Sequence, residues 1–86
     1  MGEYENMIQV IGQFGCVYCE LLCNDLDLYA IPYKYRELNP RLKRWFRRRG
    51  YTTVPQVWLD GVHIGGHKEF QHWIKERENA EKENQD

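Results

Sequence analysis

The sequence has no apolar run approaching the roughly 20 residues that a membrane-spanning helix needs. Cysteine is scarce as well, because Cys16, Cys19 and Cys23 are the only three and fall within one stretch of eight residues. An odd number of cysteines so close together cannot connect distant segments, which excludes a disulfide-built scaffold. The three thiols instead indicate chemistry at one local site.

The chain also has little net charge. Twelve basic and thirteen acidic residues leave a formal charge of −1, so no global field attracts nucleic acid or an anionic membrane. The first six residues contain neither a basic nor an apolar stretch, so they do not have the pattern of a secretory signal. We therefore expect a cytoplasmic protein with neither nucleic-acid nor membrane partners.

A length of 86 residues corresponds to one domain, and 42% hydrophobic side chains are enough for a globular core. We expect this domain to span residues 1–86 and to be monomeric. No large apolar side chain occurs after residue 76, so about residues 77–86 are predicted to form a polar tail of solvated or frayed helix.

Hydrophobic periodicity predicts seven elements of secondary structure. Short apolar runs indicate strands at 7–11, 33–38, 54–59 and 62–64, and spaced apolar residues indicate helices at 17–29, after Pro40, and after Gly66. Asn39 before Pro40 is a typical helix start, Gly50 a typical helix end, and Asp60-Gly61 a typical hairpin turn. The order βαβαββα predicts an α/β protein with a thioredoxin-like fold, a four-stranded mixed sheet flanked by helices.

Cys16 and Cys19 form a Cys-x-x-Cys motif where the first strand ends and a helix begins. The unpaired N–H groups of that helix favour negative charge on the Cys16 sulfur, and a thiolate is the form that attacks a disulfide. Cys19 lies about one turn later, where it can resolve the mixed disulfide. The same spacing forms half of a zinc knuckle, but the second cysteine pair of such a site is missing, so we expect redox chemistry and no metal.

Cys23 lies one helical turn beyond Cys19. Two interpretations of this third thiol stay open. It is either a small, partly buried apolar residue or an auxiliary thiol that forms an off-pathway disulfide with Cys19.

Three segments resemble the glutaredoxin family, and they occur in that family's order. Residues 15–19, Gly-Cys-Val-Tyr-Cys, resemble its Gly-Cys-Pro-Tyr-Cys, and residues 53–57, Thr-Val-Pro-Gln-Val, resemble its Thr-Val-Pro-Gln. Residues 63–66, His-Ile-Gly-Gly, followed by Glu69, Phe70 and Trp73, resemble its Gly-Gly-x-x-Asp segment. The resemblance extends from residue 7 to about residue 76.

The resemblance implies a glutathione-dependent thiol–disulfide oxidoreductase, with Cys16 as the nucleophile and Cys19 as the resolving thiol. Residues near the three segments would form its glutathione groove: Gln13, Tyr18, Thr53, Val54, Pro55, Gly65, Gly66, Lys68 and Glu69. A cis Pro55 would turn the backbone of Val54 toward the cysteinyl part of glutathione. The helix after Gly66 would bind the γ-glutamyl carboxylate, and Glu69 would accept the adjacent ammonium.

The chain departs from the family pattern at two positions. Val17 replaces the usual proline, and Gln13 stands where the family commonly has Lys or Arg, so a cation near the glycyl carboxylate is missing. Residues 41–49 contain six of the twelve basic residues. These six form a solvated helix face, supply the missing cation, or dock an acidic protein partner.

For cofactors and partners, the resemblance implies glutathione as reductant, no tightly bound cofactor, and disulfide-containing proteins as partners, with ribonucleotide reductase as a candidate. The alternative is an iron–sulfur cluster carrier, which holds its cluster between two monomers with Cys16 and glutathione. Val17 weakens the argument that an active-site proline excludes a cluster. The Cys-Gly-Phe-Ser site of the family's cluster carriers is nevertheless absent.

Overall fold

The computed structural model describes residues 7–84. The N-terminal residues that we compared with a secretory signal, and the last two residues of the predicted polar tail, lie outside this range. The described elements follow the predicted order βαβαββα. The strands are β1 (Ile8–Gly12), β2 (Tyr33–Glu37), β3 (Gln56–Leu59) and β4 (Val62–Gly65); the helices are α1 (Val17–Leu28), α2 (Pro40–Arg49) and α3 (His67–Asn84).

The four strands form one mixed sheet in the order β2-β1-β3-β4. β1 and β2 are parallel, as the predicted crossover through α1 requires, with Ile8 opposite Tyr33. β3 is antiparallel to both β1 and β4. β1 therefore lies inside the sheet, between β2 and β3. The loop that connects β1 to α1 lies at the end of the sheet where β1 ends.

Alternation along the central strands divides the core between the two faces of the sheet. Val10 and Val57 are fully buried in the larger cluster, which includes Leu22 and Leu26 of α1 and Phe70 of α3. The adjacent residues point to the other face, where Ile11, Trp58 and Phe46 of α2 form a smaller cluster. The sheet is thus covered by α1 and α3 on one face and by α2 on the other.

Local signals predicted most element boundaries correctly. The Asn39 side-chain oxygen accepts a hydrogen bond from the Leu42 N–H at 2.8 Å, and Pro40 begins α2. Gly50 ends that helix in the left-handed conformation, with φ of 79°. Asp60 and Gly61 both have positive φ, as a two-residue hairpin turn of this kind requires.

The third strand begins later than the sequence predicts. β3 starts at Gln56, which is paired with Ile11, rather than at residue 54. Pro55 has no N–H to contribute to the sheet, and the backbone of Val54 faces the cysteine loop instead. The predicted strand 54–59 is therefore wrong at its first two residues.

The polar C-terminal segment continues α3 up to Asn84. Residues 77–84 of the predicted tail are therefore helical. Within the described residues 7–84, none of the three helices combines the length and apolarity that a membrane span requires.

Candidate active site

Cys16 occupies the N-cap position of α1. Its backbone is extended, and its sulfur accepts a hydrogen bond from the Cys19 N–H at 3.3 Å. The Cys16 N–H donates to the Gln13 carbonyl at 3.1 Å, which closes the turn between β1 and the helix. The helix N-terminus thus faces the sulfur, as predicted.

Cys19 is the buried partner of this pair, with 3% of its surface exposed. Burial and a hydrogen bond with Cys16 raise the pKa of Cys19 from its ordinary value of 9.0 to about 12. Cys19 therefore remains a neutral thiol while half-buried Cys16 can react. All three cysteines are free thiols in this structure.

The segment before β3 lies directly across from Cys16. The Val54–Pro55 peptide bond is cis, as the resemblance implied. The Val54 carbonyl oxygen accepts from the Cys16 thiol at 3.7 Å. A residue 38 positions away in sequence thus forms the opposite wall of the thiol site.

Gln56 holds that segment in place, and our sequence interpretation gave it no role. The side chain is 6% exposed, and its Nε2 donates to the carbonyl and hydroxyl oxygens of Thr53 at 3.0 and 3.2 Å. Its Oε1 pairs with His63 Nε2 at 2.7 Å. The predicted groove residue Thr53 is therefore fixed from beneath by a buried amide.

Gly65, Gly66 and Glu69 form the start of α3 beside this wall. Gly65 has a φ of 136°, and a Cβ at that position would lie 2.7 Å from atoms of the Glu69 side chain. A Cβ at Gly66 would lie 3.3 Å from the Pro55 carbonyl oxygen. Glycine is therefore favoured at position 65 by its positive φ and this short contact, whereas a side chain at position 66 would require the Pro55 carbonyl to shift by a few tenths of an ångström.

The Glu69 carboxylate caps the helix to which it belongs. Its Oε1 accepts from the Gly66 N–H at 2.8 Å, and this hydrogen bond lowers the pKa of Glu69 below its ordinary value. The expectation that Glu69 accepts an ammonium stays a prediction, and the structure adds a second role for the same carboxylate.

Tyr18 and Lys68 are two further residues of the predicted glutathione groove. Tyr18 is 60% exposed and packs against His67 at the start of α3, with ring centroids 5.5 Å apart. Lys68 lines a cavity of about 460 Å³ together with Ile64, Trp73 and the predicted groove residue Glu69. Tyr18 thus contacts the start of α3, and Lys68 shares its cavity with Glu69; the assignment of both residues to the glutathione groove stays a prediction.

A basic cavity of about 250 Å³ adjoins the thiol site on the side of α2. Gln13, Thr53 and Val54 line it together with two cations of α2, Lys43 and Arg47, which we call the proximal pair. Arg44 and Arg48, the distal pair, line none of the cavities described here. Of the six basic residues at positions 41–49, the structure thus brings two to this cavity. Lys43 and Arg47 are four residues apart in the sequence, which places them on one helix face with buried Phe46.

Cys23 lines a further cavity, of about 380 Å³, which it shares with Cys19 and Tyr35. It is half-buried, and burial raises its pKa. Burial, together with the neighbouring Cys23 side chain, raises the pKa of Tyr33 to about 12. Within residues 7–84, no cluster of three or more His, Cys, Asp or Glu side chains could hold a metal ion.

This geometry defines a class of protein. A reactive sulfur at a helix N-terminus, with a buried neutral thiol one turn later, is suited to thiol–disulfide exchange. Its position after the first strand of a four-stranded mixed sheet with three helices makes the protein a thiol–disulfide oxidoreductase of thioredoxin-like fold.

Comparisons with known proteins agree. Residues 8–64 match the family model described as glutaredoxin. Glutaredoxin 1 of Escherichia coli (strain K12) is 31% identical over 81 residues, covering 83% of this chain and 95% of that protein. This chain belongs to the glutaredoxin family.

Solved structures show the same fold. Glutaredoxin 1 of Francisella tularensis, complexed with cacodylate, superposes with a TM-score of 0.74 at 20% identity, covering 86% of this chain and 98% of that one. A buckwheat glutaredoxin–glutathione complex has a TM-score of 0.73 at 25% identity, covering 83% of this chain and 70% of that one.

Proposed function

We propose that this oxidoreductase uses glutathione to reduce glutathione mixed disulfides and protein disulfides. One observation carries the proposal: Cys16 Sγ lies between the N-terminus of α1 and the Val54 carbonyl, and the cavity beside Val54 is lined by the proximal pair. The nucleophilic sulfur thus lies next to a cationic cavity that suits a short anionic peptide. The buckwheat relative is itself described as a complex with glutathione.

The Cys16 thiolate attacks the glutathione sulfur of a mixed disulfide. The old S–S bond breaks, the substrate thiolate leaves and takes a proton, and Cys16 becomes disulfide-bonded to glutathione. A second glutathione thiolate then attacks the sulfur of the bound glutathione. This step releases oxidised glutathione and restores the Cys16 thiolate. One glutathione thus comes from the mixed disulfide and one reduced glutathione from solution, and the two leave together as oxidised glutathione.

A protein disulfide follows the second route, through Cys19. After Cys16 forms a mixed disulfide with the substrate, Cys19 loses its proton and attacks Cys16, which releases the reduced substrate and leaves a Cys16–Cys19 disulfide. Its raised pKa means that this proton must be removed as the attack occurs. Glutathione then reduces the Cys16–Cys19 disulfide.

The backbone of Val54 suits the cysteinyl part of glutathione. Val54 lies outside β3, and among the described residues no hydrogen bond occupies its N–H. A bound peptide can therefore pair with it as an additional short strand. This arrangement supports the assignment of Val54 and Pro55 to the glutathione groove.

The two carboxylates of glutathione would bind at opposite ends of the groove. The proximal pair offers two cations for the glycyl carboxylate, which replace the cation that the family carries at Gln13. At the other end, the free N–H groups in the first turn of α3 suit the γ-glutamyl carboxylate. Glu69 occupies the Gly66 N–H there, so the N–H groups of His67 and Lys68 are the ones that remain.

We also propose a cell compartment and a protein acceptor for the reaction. A glutathione-dependent dithiol works where thiols are kept reduced, which favours the cytoplasm. Ribonucleotide reductase, suggested by the family resemblance, is one candidate protein acceptor. The ability to turn over its disulfide would be measured directly with the purified reductase.

Serine substitutions in the cysteine pair test the proposal. Cys19→Ser should keep most activity on a glutathione mixed disulfide and lose much of the activity on a protein disulfide, because only the latter needs an intramolecular resolving thiol. Cys16→Ser should abolish both activities. Both reactions are measured by coupling oxidised glutathione to its reductase.

Melting temperatures of the two variants provide the control. Neither serine should unfold the domain, since the disulfide closes too short a loop to constrain the unfolded chain much. Equal loss of both activities in both variants would contradict the division of roles. Loss of glutathione turnover with intact protein-disulfide exchange would remove glutathione from the mechanism.

A further inference from the structure

The near-zero net charge conceals a strong separation of charge along the chain. Residues 34–49, which form most of β2 and all of α2, contain eight of the twelve basic residues and only one of the thirteen acidic ones. Among the side chains that the structure describes, up to residue 79, α1 and α3 together carry six acidic and three basic residues. Because α2 packs on one face of the sheet and α1 and α3 pack on the other, the protein has a basic face and an acidic face.

The basic face contains a groove of about 930 Å³ that the thiol chemistry does not use. It lies between α2 and the exposed part of the sheet. Three cations line it: Lys34 and Arg36 from the edge strand β2, and Arg41 from the first turn of α2. All three are exposed, and within the described residues none of them forms an ion pair.

The floor of the groove is apolar. Half-buried Leu42 and Trp45 line it together with Trp58, which is only 8% exposed. The volume is within the range of sites that bind small ligands or peptide side chains. A cationic rim around an apolar floor suits an acidic segment that carries one large apolar side chain.

The groove connects with the thiol site at the junction between β2 and α2. Asn39 lines the groove, and its neighbour Leu38 lines the cavity of the proximal pair. A peptide lying in the groove can thus continue toward Cys16 along one basic surface.

We propose that this groove docks an acidic segment of a protein partner, and that the partner's disulfide is then presented to Cys16. The identity of the partner as a disulfide substrate rests on the proposed function, whereas docking itself needs no redox step. Neither tryptophan of the floor offers a free ring on which an aromatic base could stack, because Trp58 is buried and the Arg49 guanidinium lies over Trp45 at 5.4 Å. The acidic face would also repel a long polyanion such as nucleic acid.

Docking is tested by the fluorescence anisotropy of a labelled peptide made of glutamates around one phenylalanine. The Cys16→Ser protein is used so that no exchange occurs. The triple change Lys34→Gln, Arg36→Gln and Arg41→Gln should weaken binding about tenfold at low salt, because three exposed ion pairs are lost while the aliphatic stems remain. Added salt should reduce the difference.

The matched control removes the same charge elsewhere, through Arg44→Gln, Arg48→Gln and Lys75→Gln. These side chains are exposed and line none of the cavities described here. The control variant should bind the peptide within about twofold of the parent protein. Equal weakening in both triple variants would overturn the groove as the docking site.

Two further probes decide the nature of the ligand. Replacing the central phenylalanine of the peptide by alanine should weaken binding, and unchanged affinity would overturn the role of the apolar floor. An oligothymidylate that binds more tightly than the peptide, and whose binding is lost in the groove variant, would overturn the proposal in favour of nucleic acid.

A turnover assay separates docking from the proposed function. Turnover of a small glutathione mixed disulfide by the groove variant with Cys16 intact should equal that of the parent. Absence of turnover in the parent would refute the proposed function without affecting the docking result.

Discussion

Replacing Gln56 with leucine tests whether a buried amide positions the wall of the thiol site. The Gln56 side chain makes three hydrogen bonds, two to Thr53 and one to His63, at distances of 2.7 to 3.2 Å. Leucine keeps a side chain of similar size in the core and removes all three. The segment that places the Val54 carbonyl beside Cys16 then loses its attachment to β3 and β4.

The size of the effect follows from the exposure of the partners. A hydrogen bond contributes about 0.5–1.5 kcal/mol net, and a partner left buried without a bond adds a further penalty. Thr53 and His63 are both exposed, so water replaces the lost bonds on their side. Burial of leucine offsets part of the remaining loss. We expect the free energy of unfolding to fall by about 1–2 kcal/mol, which lowers the Tm by roughly 5–15 °C.

The functional effect should exceed what this loss of stability explains. Below the lowered Tm, the KM for a glutathione mixed disulfide should rise several-fold in Gln56→Leu, because Thr53 and Val54 no longer hold one position. The rate of Cys16 alkylation should stay unchanged, since the helix N-terminus is intact. His63→Phe is the control: it retains ring packing against Tyr51 and removes one hydrogen bond outside the segment. A lower Tm with an unaltered KM in Gln56→Leu would refute the positioning role.

Three other changes give equally direct outcomes. Converting the proximal pair to glutamines should raise the KM for a glutathionylated substrate several-fold and leave Cys16 alkylation unchanged; the same rise after converting the distal pair would refute a specific carboxylate site. Asn39→Ala removes the oxygen that caps α2, so urea unfolding should show a loss of about 1 kcal/mol, and an unchanged midpoint would argue against this cap. The pKa of Cys19 is raised from 9.0 to about 12 in the folded protein. Above about pH 9 the thiol therefore ionises in the unfolded chain but stays neutral in the reduced fold, so the free energy of unfolding falls as the pH rises toward 12. Between about pH 8 and about pH 10.5 the free energy of unfolding should therefore fall more in the parent than in Cys19→Ser, and parallel decreases would contradict the assignment.

Features that depend on neighbours in sequence were predictable from the sequence. The turn at Asp60-Gly61 and the start of α2 at Asn39-Pro40 each depend on the φ preferences or hydrogen bonds of a few adjacent residues. The same holds for Cys16 at the N-terminus of α1, where the helix that presents its N–H groups follows immediately. The hydrophobic periodicity and the order of the predicted elements then predicted the mixed sheet, because a strand–helix–strand unit has few arrangements that bury its apolar residues.

The tertiary structure alone decided which distant residues meet. Val54 faces Cys16 and is therefore excluded from the strand that its own sequence predicts. The packing of α2 brings Lys43 and Arg47, but not the basic residues Arg44 and Arg48, into one cavity with Gln13. Lys68 follows the glycine motif in sequence, and its position on α3 places it in a cavity with Glu69 and Trp73. Composition likewise showed six basic residues in one helix, whereas the basic groove exists only because β2 lies at the sheet edge beside that helix. Such contacts depend on the packing of elements far apart in the chain, and no local pattern of residues encodes them.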